Sequence, residues 1–149
     1  MKITVKDRNA FPSRAHPTDA GLDLKSIEDT TILKPGDRKF FSTGVCAEIP
    51  IGYVGLLFIR SGIGTKTKFK LANGTGIIDS DYRGEIMACI ENSGASVDVI
   101  KQYDKIVQLL IVPVLTPELE VVSKLSETKR GIGGFGHTDT KMPKIGIEK

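Results

Sequence analysis

Gly76-Ile77-Ile78-Asp79-Ser80-Asp81-Tyr82-Arg83-Gly84-Glu85-Ile86-Met87-Ala88-Cys89-Ile90-Glu91 is the stretch whose reading decides the fold. A short apolar run on either side flanks two carboxylates, an aromatic and an Arg, which places several reactive groups on one strand-to-strand turn. Working outward, no segment of a dozen residues has apolar spacing of 3.6, whereas short period-2 or continuous apolar runs recur throughout, so the chain reads as all-β. The expected strands are 2–6, 22–25, 31–33, 38–43, 45–48, 53–59, 68–71, 76–78, 86–91, 97–100, 105–112 and 119–122. Turn signals separate them at Lys34-Pro35-Gly36-Asp37, Pro50-Ile51-Gly52, Asn73-Gly74 and Asn92-Ser93-Gly94. Many short strands between such turns predict a single-domain sandwich or barrel of the jelly-roll kind, with one short helix after Arg60-Ser61. No repeat or internal linker divides the chain.

Composition narrows the function classes. The 149 residues are 40% hydrophobic and 26% charged, values suited to one folded core rather than an unfolded chain. A net charge of +3 is too small a surplus for a general nucleic-acid surface. The longest apolar run, 106–115, is interrupted by Gln108 and Pro113 and falls well short of the roughly 20 residues of a membrane span. Met1-Lys2-Ile3-Thr4-Val5-Lys6 alternates like a strand and lacks a secretory apolar region, so a cytoplasmic protein is expected, with neither nucleic acid nor membrane as partner. Cys46 and Cys89 are expected as two buried free thiols, and two histidines are too few for a His-rich zinc centre.

Four further segments end or interrupt an apolar strand with polar groups. Asp23 sits between leucines in Ala20-Gly21-Leu22-Asp23-Leu24, which is costly unless the charge meets a donor or a metal-bound water. Arg60-Ser61-Gly62 combines a guanidinium, a hydroxyl and a glycine, a set suited to holding phosphate oxygens. Gln108 places an amide inside an apolar strand, where it needs a partner. Arg130-Gly131-Ile132-Gly133-Gly134-Phe135-Gly136 carries four glycines and reads as a mobile segment.

Taken in order, these five segments resemble the five successive motifs of trimeric dUTPases, over 20–138. The segments around Asp79 and Phe135 are the specific ones; the others are weak alone. The resemblance implies a dUTP diphosphatase that yields dUMP and pyrophosphate, limits uracil in DNA and supplies dUMP for thymidylate synthesis. It implies a barrel domain over 1–129, a flexible arm over 130–149 that closes over the site, and homotrimers whose sites are shared between subunits. Asp79 matches the family's catalytic base, which directs water at the α-phosphorus. Tyr82 matches the aromatic that packs under the deoxyribose and refuses a 2′-hydroxyl. Asn73 matches the amide that reads the pyrimidine edge, with Gly76, Ile77, Ile78 and Met87 completing the lining. Arg60, Ser61, Gly62 and Gln108 match phosphate-binding positions, and Asp23 the carboxylate that reaches Mg²⁺ through water. Arg130 matches a γ-phosphate partner, Phe135 a stacking partner of uracil, and Gly136 and Thr138 donors to the phosphate tail.

Some positions depart from the pattern. Tyr103 and Lys105 stand where the fourth motif usually has Gly and Arg, and Asp139 where the fifth often ends in Gly. Changed loop geometry rather than lost activity is expected. A rival reading, dCTP deaminase, shares the fold, but its catalytic Glu position is occupied here by Cys89. A second rival, a nucleotide-dependent regulatory binder without turnover, is disfavoured by the intact Asp79.

Overall fold

The computed structural model describes residues 1–134. Among them, the strands run in chain order as β1 (Lys2–Val5), β2 (Leu22–Lys25), β3 (Thr31–Leu33), β4 (Arg38–Glu48), β5 (Tyr53–Ile59), β6 (Phe69–Leu71), β7 (Gly76–Ile78), β8 (Glu85–Asn92), β9 (Asp98–Ile100) and β10 (Lys105–Pro113). One short helix, α1 (Ser61–Lys66), follows β5 as expected, and a 3-10 turn covers Arg8–Ala10. All pairings are antiparallel: β1-β4-β8-β6 form one sheet, β2-β10-β5-β7 a second, and β3-β9 a third. The fold is thus all-β, of the jelly-roll-like kind. No helix among the described residues is long and apolar enough to cross a membrane.

Period-2 side-chain alternation explains how one strand serves two purposes. On β8, Ile86, Ala88, Ile90 and Asn92 are buried, while Glu85, Met87, Cys89 and Glu91 face the other way. The inward set meets Phe41 and Val45 of β4 and, from the second sheet, Leu24, Leu57, Val107 and Leu109, in one apolar cluster. Burying each of the larger side chains contributes about 1.5–3 kcal/mol. Polar groups inside this core are paired. Thr43 donates to the Ile86 carbonyl at 2.6 Å, and Asn92 donates to the carbonyls of Leu33 and Ser96 at 2.9 and 2.8 Å.

Three local expectations need correction. The pieces 38–43 and 45–48 are one strand, β4, whose register shifts between Ser42 and Cys46 where Gly44 takes φ +69°. A β-bulge at a left-handed glycine resembles a strand break in sequence. The segment 119–122 is not a strand: Leu119 and Val121 are almost fully exposed, and no edge among the described residues pairs with them. Without ladder partners an apolar alternation cannot satisfy its backbone as a strand. Cys46 and Cys89 are free but only half-buried, because each lies on the outward face of its strand.

Met1–Thr116 forms one compact unit, and a second begins at Pro117. Within the described part of the second, Arg130 donates from Nε to the Gly133 carbonyl at 2.8 Å, and Gly131 turns with φ +55°.

Tyr103 is the one non-glycine residue with positive φ among the described residues, at +64°. That conformation costs an L-residue roughly 1–2 kcal/mol and accounts for the glycine usual there. Offsetting bonds hold it: its N–H donates to the Ser26 carbonyl at 2.8 Å and its hydroxyl to the Asp7 carboxylate at 2.7 Å. The hydroxyl bond holds the Asp7 carboxyl below its ordinary value, with help from the Asn9 N–H, and the same bond raises the Tyr103 phenol. A lowered carboxyl stabilises the fold above its ordinary value of 3.8 and loses that effect as pH falls. A raised phenol stabilises it below 10.0 and loses the effect as pH rises. Wild type should therefore melt above Tyr103→Phe by a gap that is constant between these limits and shrinks at both ends; thermal melts across the pH range check it.

Candidate active site

The outward face of β4 and β8, together with β7, encloses a cavity of about 370 Å³. From the Gly76–Glu91 stretch it takes Gly76, Ile77 and Ile78 on β7, Asp79 and Tyr82 on the connecting turn, and Met87 on β8. Asn73 joins them from the turn before β7. All seven slot residues expected from the sequence are therefore brought together. Their placement has local causes. A Cβ on Gly76 would lie 3.0 Å from the Leu57 Cβ, tighter than ordinary contact, so glycine eases the close approach of β7 to β5. The Tyr82 N–H donates to the Asp79 carbonyl at 3.2 Å, closing the turn, and a Cβ on Gly84 would collide with the Tyr82 ring.

Phe40, Glu85 and Cys89 also line this cavity and were not anticipated. Period-2 alternation from Met87 would have found Glu85 and Cys89. Phe40 arrives through its pairing with Cys89, a contact between distant segments with no local signal.

Two carboxylates thus face the slot, and their surroundings separate them. Burial pushes Glu85 upward, but hydrogen bonds from Lys6 at 2.5 Å, from Ser42 and from the Gly44 N–H at 2.7 Å outweigh it and hold the carboxyl below the usual range. Asp79 is exposed, and among the described residues its carboxylate accepts no hydrogen bond. Of the pair it is the carboxylate not engaged by protein donors, so both its oxygens are available to orient a water molecule.

The expected phosphate-binding residues assemble elsewhere on the same unit. Asp23, only 8% exposed, accepts from Arg60 Nε at 2.8 Å and from Lys105 Nζ at 3.1 Å. The cost foreseen for its burial is thereby met by two cations, leaving the cluster with one excess positive charge. Arg60 follows β5 at the N-cap of α1, which Ser61 and Gly62 open. Gln108 stands opposite Asp23 on β10, with its side-chain oxygen packed against Gly21, where a Cβ would lie 2.5 Å away. The partner expected for its amide is not found: among the described residues the amide makes no hydrogen bond, because it is half-exposed rather than enclosed. Arg130 lies in the second unit, and Phe135, Gly136 and Thr138 lie outside the described residues.

Among the described residues no group of three His, Cys, Asp or Glu side chains could grip a metal directly. Asp23 keeps unused lone pairs on both oxygens beside its two cations. This donor set fits a hard ion that takes most ligands from water and phosphate, as Mg²⁺ does, and does not fit a dedicated protein cage.

Comparison with known proteins shows the family. The dUTPase family model matches 7–139. The deoxyuridine 5′-triphosphate nucleotidohydrolase of Nautilia profundicola is 43% identical over 141 residues, covering 93% of this chain and 99% of the relative. The Staphylococcus bacteriophage 80alpha dUTPase, solved with dUPNHPP, superposes with a TM-score of 0.84 at 34% identity, covering 92% of this chain and 96% of that one. A variant dUTPase from phage phi11 of S. aureus, in which a structural Mg(II) ion is coordinated, superposes at 0.77 with 33% identity, covering 85% and 98%. With the motifs, the β architecture and these likenesses in accord, the chain belongs to the dUTPase family.

Proposed function

We propose that this chain acts in the cytoplasm as a dUTP diphosphatase, cleaving the bond between the α- and β-phosphates to give dUMP and pyrophosphate. By doing so it limits uracil in DNA and supplies dUMP. The observation that carries this reading is the unengaged Asp79 carboxylate at the mouth of a slot lined by Asn73, β7 and Tyr82. Asp79 holds a water by hydrogen bond and takes its proton as the oxygen attacks the α-phosphorus in line, a contribution of about 10²–10⁴ in rate.

Specificity follows from the lining. Asn73 and the backbone of Gly76, Ile77, Ile78 and Met87 read the uracil edge, where a mispaired buried group costs about 1–3 kcal/mol. Tyr82 lies under the sugar and leaves no space for a 2′-hydroxyl. Arg60, Ser61, Gly62 and Gln108 bind the phosphates, a role supported by the net positive charge of the Asp23 cluster and the free amide of Gln108. Asp23 is the residue that would hold Mg²⁺, through hydrogen bonds to water, and the ion when bound would supply charge neutralisation at the phosphates.

Asp79 and Arg60 of one chain stand too far apart to act on one phosphate group. In the β2-β10-β5-β7 sheet, Ile78 pairs with Gly55, whereas Arg60 lies five residues further along, a distance of about 17 Å. Arg60 moreover turns toward Asp23 on β2, three strands from β7, or about 14 Å across. A base must stand within hydrogen-bond reach of water at the phosphate that Arg60 holds. The reading therefore joins the slot of one subunit to the phosphate cluster of another, in a homotrimer. Residues 130–149 form the arm, bringing Arg130, Phe135, Gly136 and Thr138 onto the nucleotide and excluding water.

Pyrophosphate release from dUTP with Mg²⁺ tests the activity. Asp79→Asn should keep dUTP affinity within several-fold and lower turnover at least about 10²-fold; unchanged turnover would remove Asp79 as base. Arg60→Ala and Asp79→Asn, each nearly inactive alone, should regain activity when unfolded and reassembled together; mixed oligomers no more active than their parents would contradict shared sites. Deleting 130–149 should leave a folded oligomer with poor turnover, and full activity after truncation would refute the arm.

A further inference from the structure

Tyr82 is 44% exposed, so packing alone does little to hold its ring. Two features fix it. The ring occupies space that a Cβ on Gly84 would need, and its hydroxyl donates to the Glu85 backbone carbonyl at 2.9 Å. The position of that carbonyl depends on what anchors residue 85. Its carboxylate, with the side chain only 14% exposed, accepts from Lys6 Nζ at 2.5 Å, from the Gly44 N–H at 2.7 Å and from the Ser42 hydroxyl. Ser42 and Gly44 belong to the bulge in β4, and Gly44 presents its N–H from φ +69°. A single residue thus bridges the bulge, through its side chain, to the exposed phenol, through its main chain.

We propose that Glu85 is a positioning residue for Tyr82 and thereby sets the discrimination between 2′-deoxy and 2′-hydroxy nucleoside triphosphates. The inference rests on the reading of Tyr82 given above. Charge-assisted bonds are roughly twice as strong as neutral ones, so three donors on one ionised carboxylate make a stiff anchor. The backbone carbonyl of residue 85 inherits that stiffness, and the phenol bonded to it inherits it in turn. Released from the anchor, the start of β8 relaxes, the Tyr82 ring leaves the sugar, and room opens beneath C2′. Such a change raises the relative rate on the ribonucleotide, whereas simple loss of fold lowers both rates together.

The test compares kcat/KM for dUTP and UTP, by pyrophosphate release, in wild type, Glu85→Ala, Glu85→Gln, Ser42→Ala and Tyr82→Ala. Glu85→Ala should lower the dUTP-to-UTP ratio at least about 10-fold, while Glu85→Gln, whose amide oxygen still accepts from Gly44 and Ser42, should keep it within about 3-fold of wild type. Ser42→Ala removes one donor and leaves the carboxylate, so its ratio should fall by about 2–3-fold even if Glu85→Ala does not fold. Parallel losses on both substrates at an unchanged ratio, in both Glu85→Ala and Ser42→Ala, would overturn the proposal. Tyr82→Ala separates the two possible failures. If it collapses the ratio and the Glu85 and Ser42 variants do not, only the positioning role is wrong; if it too leaves the ratio intact, the role of Tyr82 at the sugar is wrong and the inference falls with it.

Discussion

Period-2 alternation along β8, locked into register by β4, is the constraint on which the remainder of the molecule depends. The inward residues, Ile86, Ala88 and Ile90, close the apolar core against Phe41 and the second sheet, so the strand cannot slip by one position without exposing them. That same restriction keeps Glu85, Met87 and Cys89 facing outward, where they form one wall of the slot. Core stability and site geometry are therefore one requirement expressed on two faces of a strand.

A division of labour among carboxylates follows from their surroundings rather than their identity. Asp23 is buried and holds two cations, Glu85 is half-buried and holds three donors, and Asp79 is exposed and holds none among the described residues. The first two are fixed electrostatic anchors, and the third is available to solvent. Glycines make the arrangement sterically feasible at particular points: Gly76 admits β7 against Leu57, Gly84 admits the Tyr82 ring, and Gly21 admits Gln108. Lys105 retains a cation beside Asp23 where the family more often has Arg, and Tyr103 retains a left-handed backbone where the family more often has Gly. In the second case the hydroxyl bond to Asp7 supplies compensation that a glycine would not need.

Most of the architecture was legible because turn residues and short apolar runs are local signals. Apart from 38–48, read as two pieces, the strands from 22–25 through 105–112 were placed within a residue of their observed ends, and a short helix was expected after Arg60-Ser61. Where reading failed, a non-local partner was decisive. Gly44 looks like a strand end until the register with β8 reveals a bulge, and 119–122 looks like a strand until no ladder is found for it among the described residues. Asp79 and Tyr82 were legible because one turn carries both, and Asn73, Gly76, Ile77, Ile78 and Met87 through the family resemblance, whereas Phe40 reaches the slot only by pairing with Cys89 in the β4–β8 ladder, a contact between distant segments.

From the sequence alone came the all-β class, the ordered motifs and the candidate groups for chemistry, since each depends on residue type and short-range spacing. Tertiary structure alone decided which carboxylate is free, that Arg60 and Lys105 converge on Asp23, and that the slot and this cationic cluster stand at separate ends of one sheet. The physical reason is that hydrogen-bond satisfaction and charge pairing are set by neighbours distant in the chain, and these come within reach only when strand register is settled.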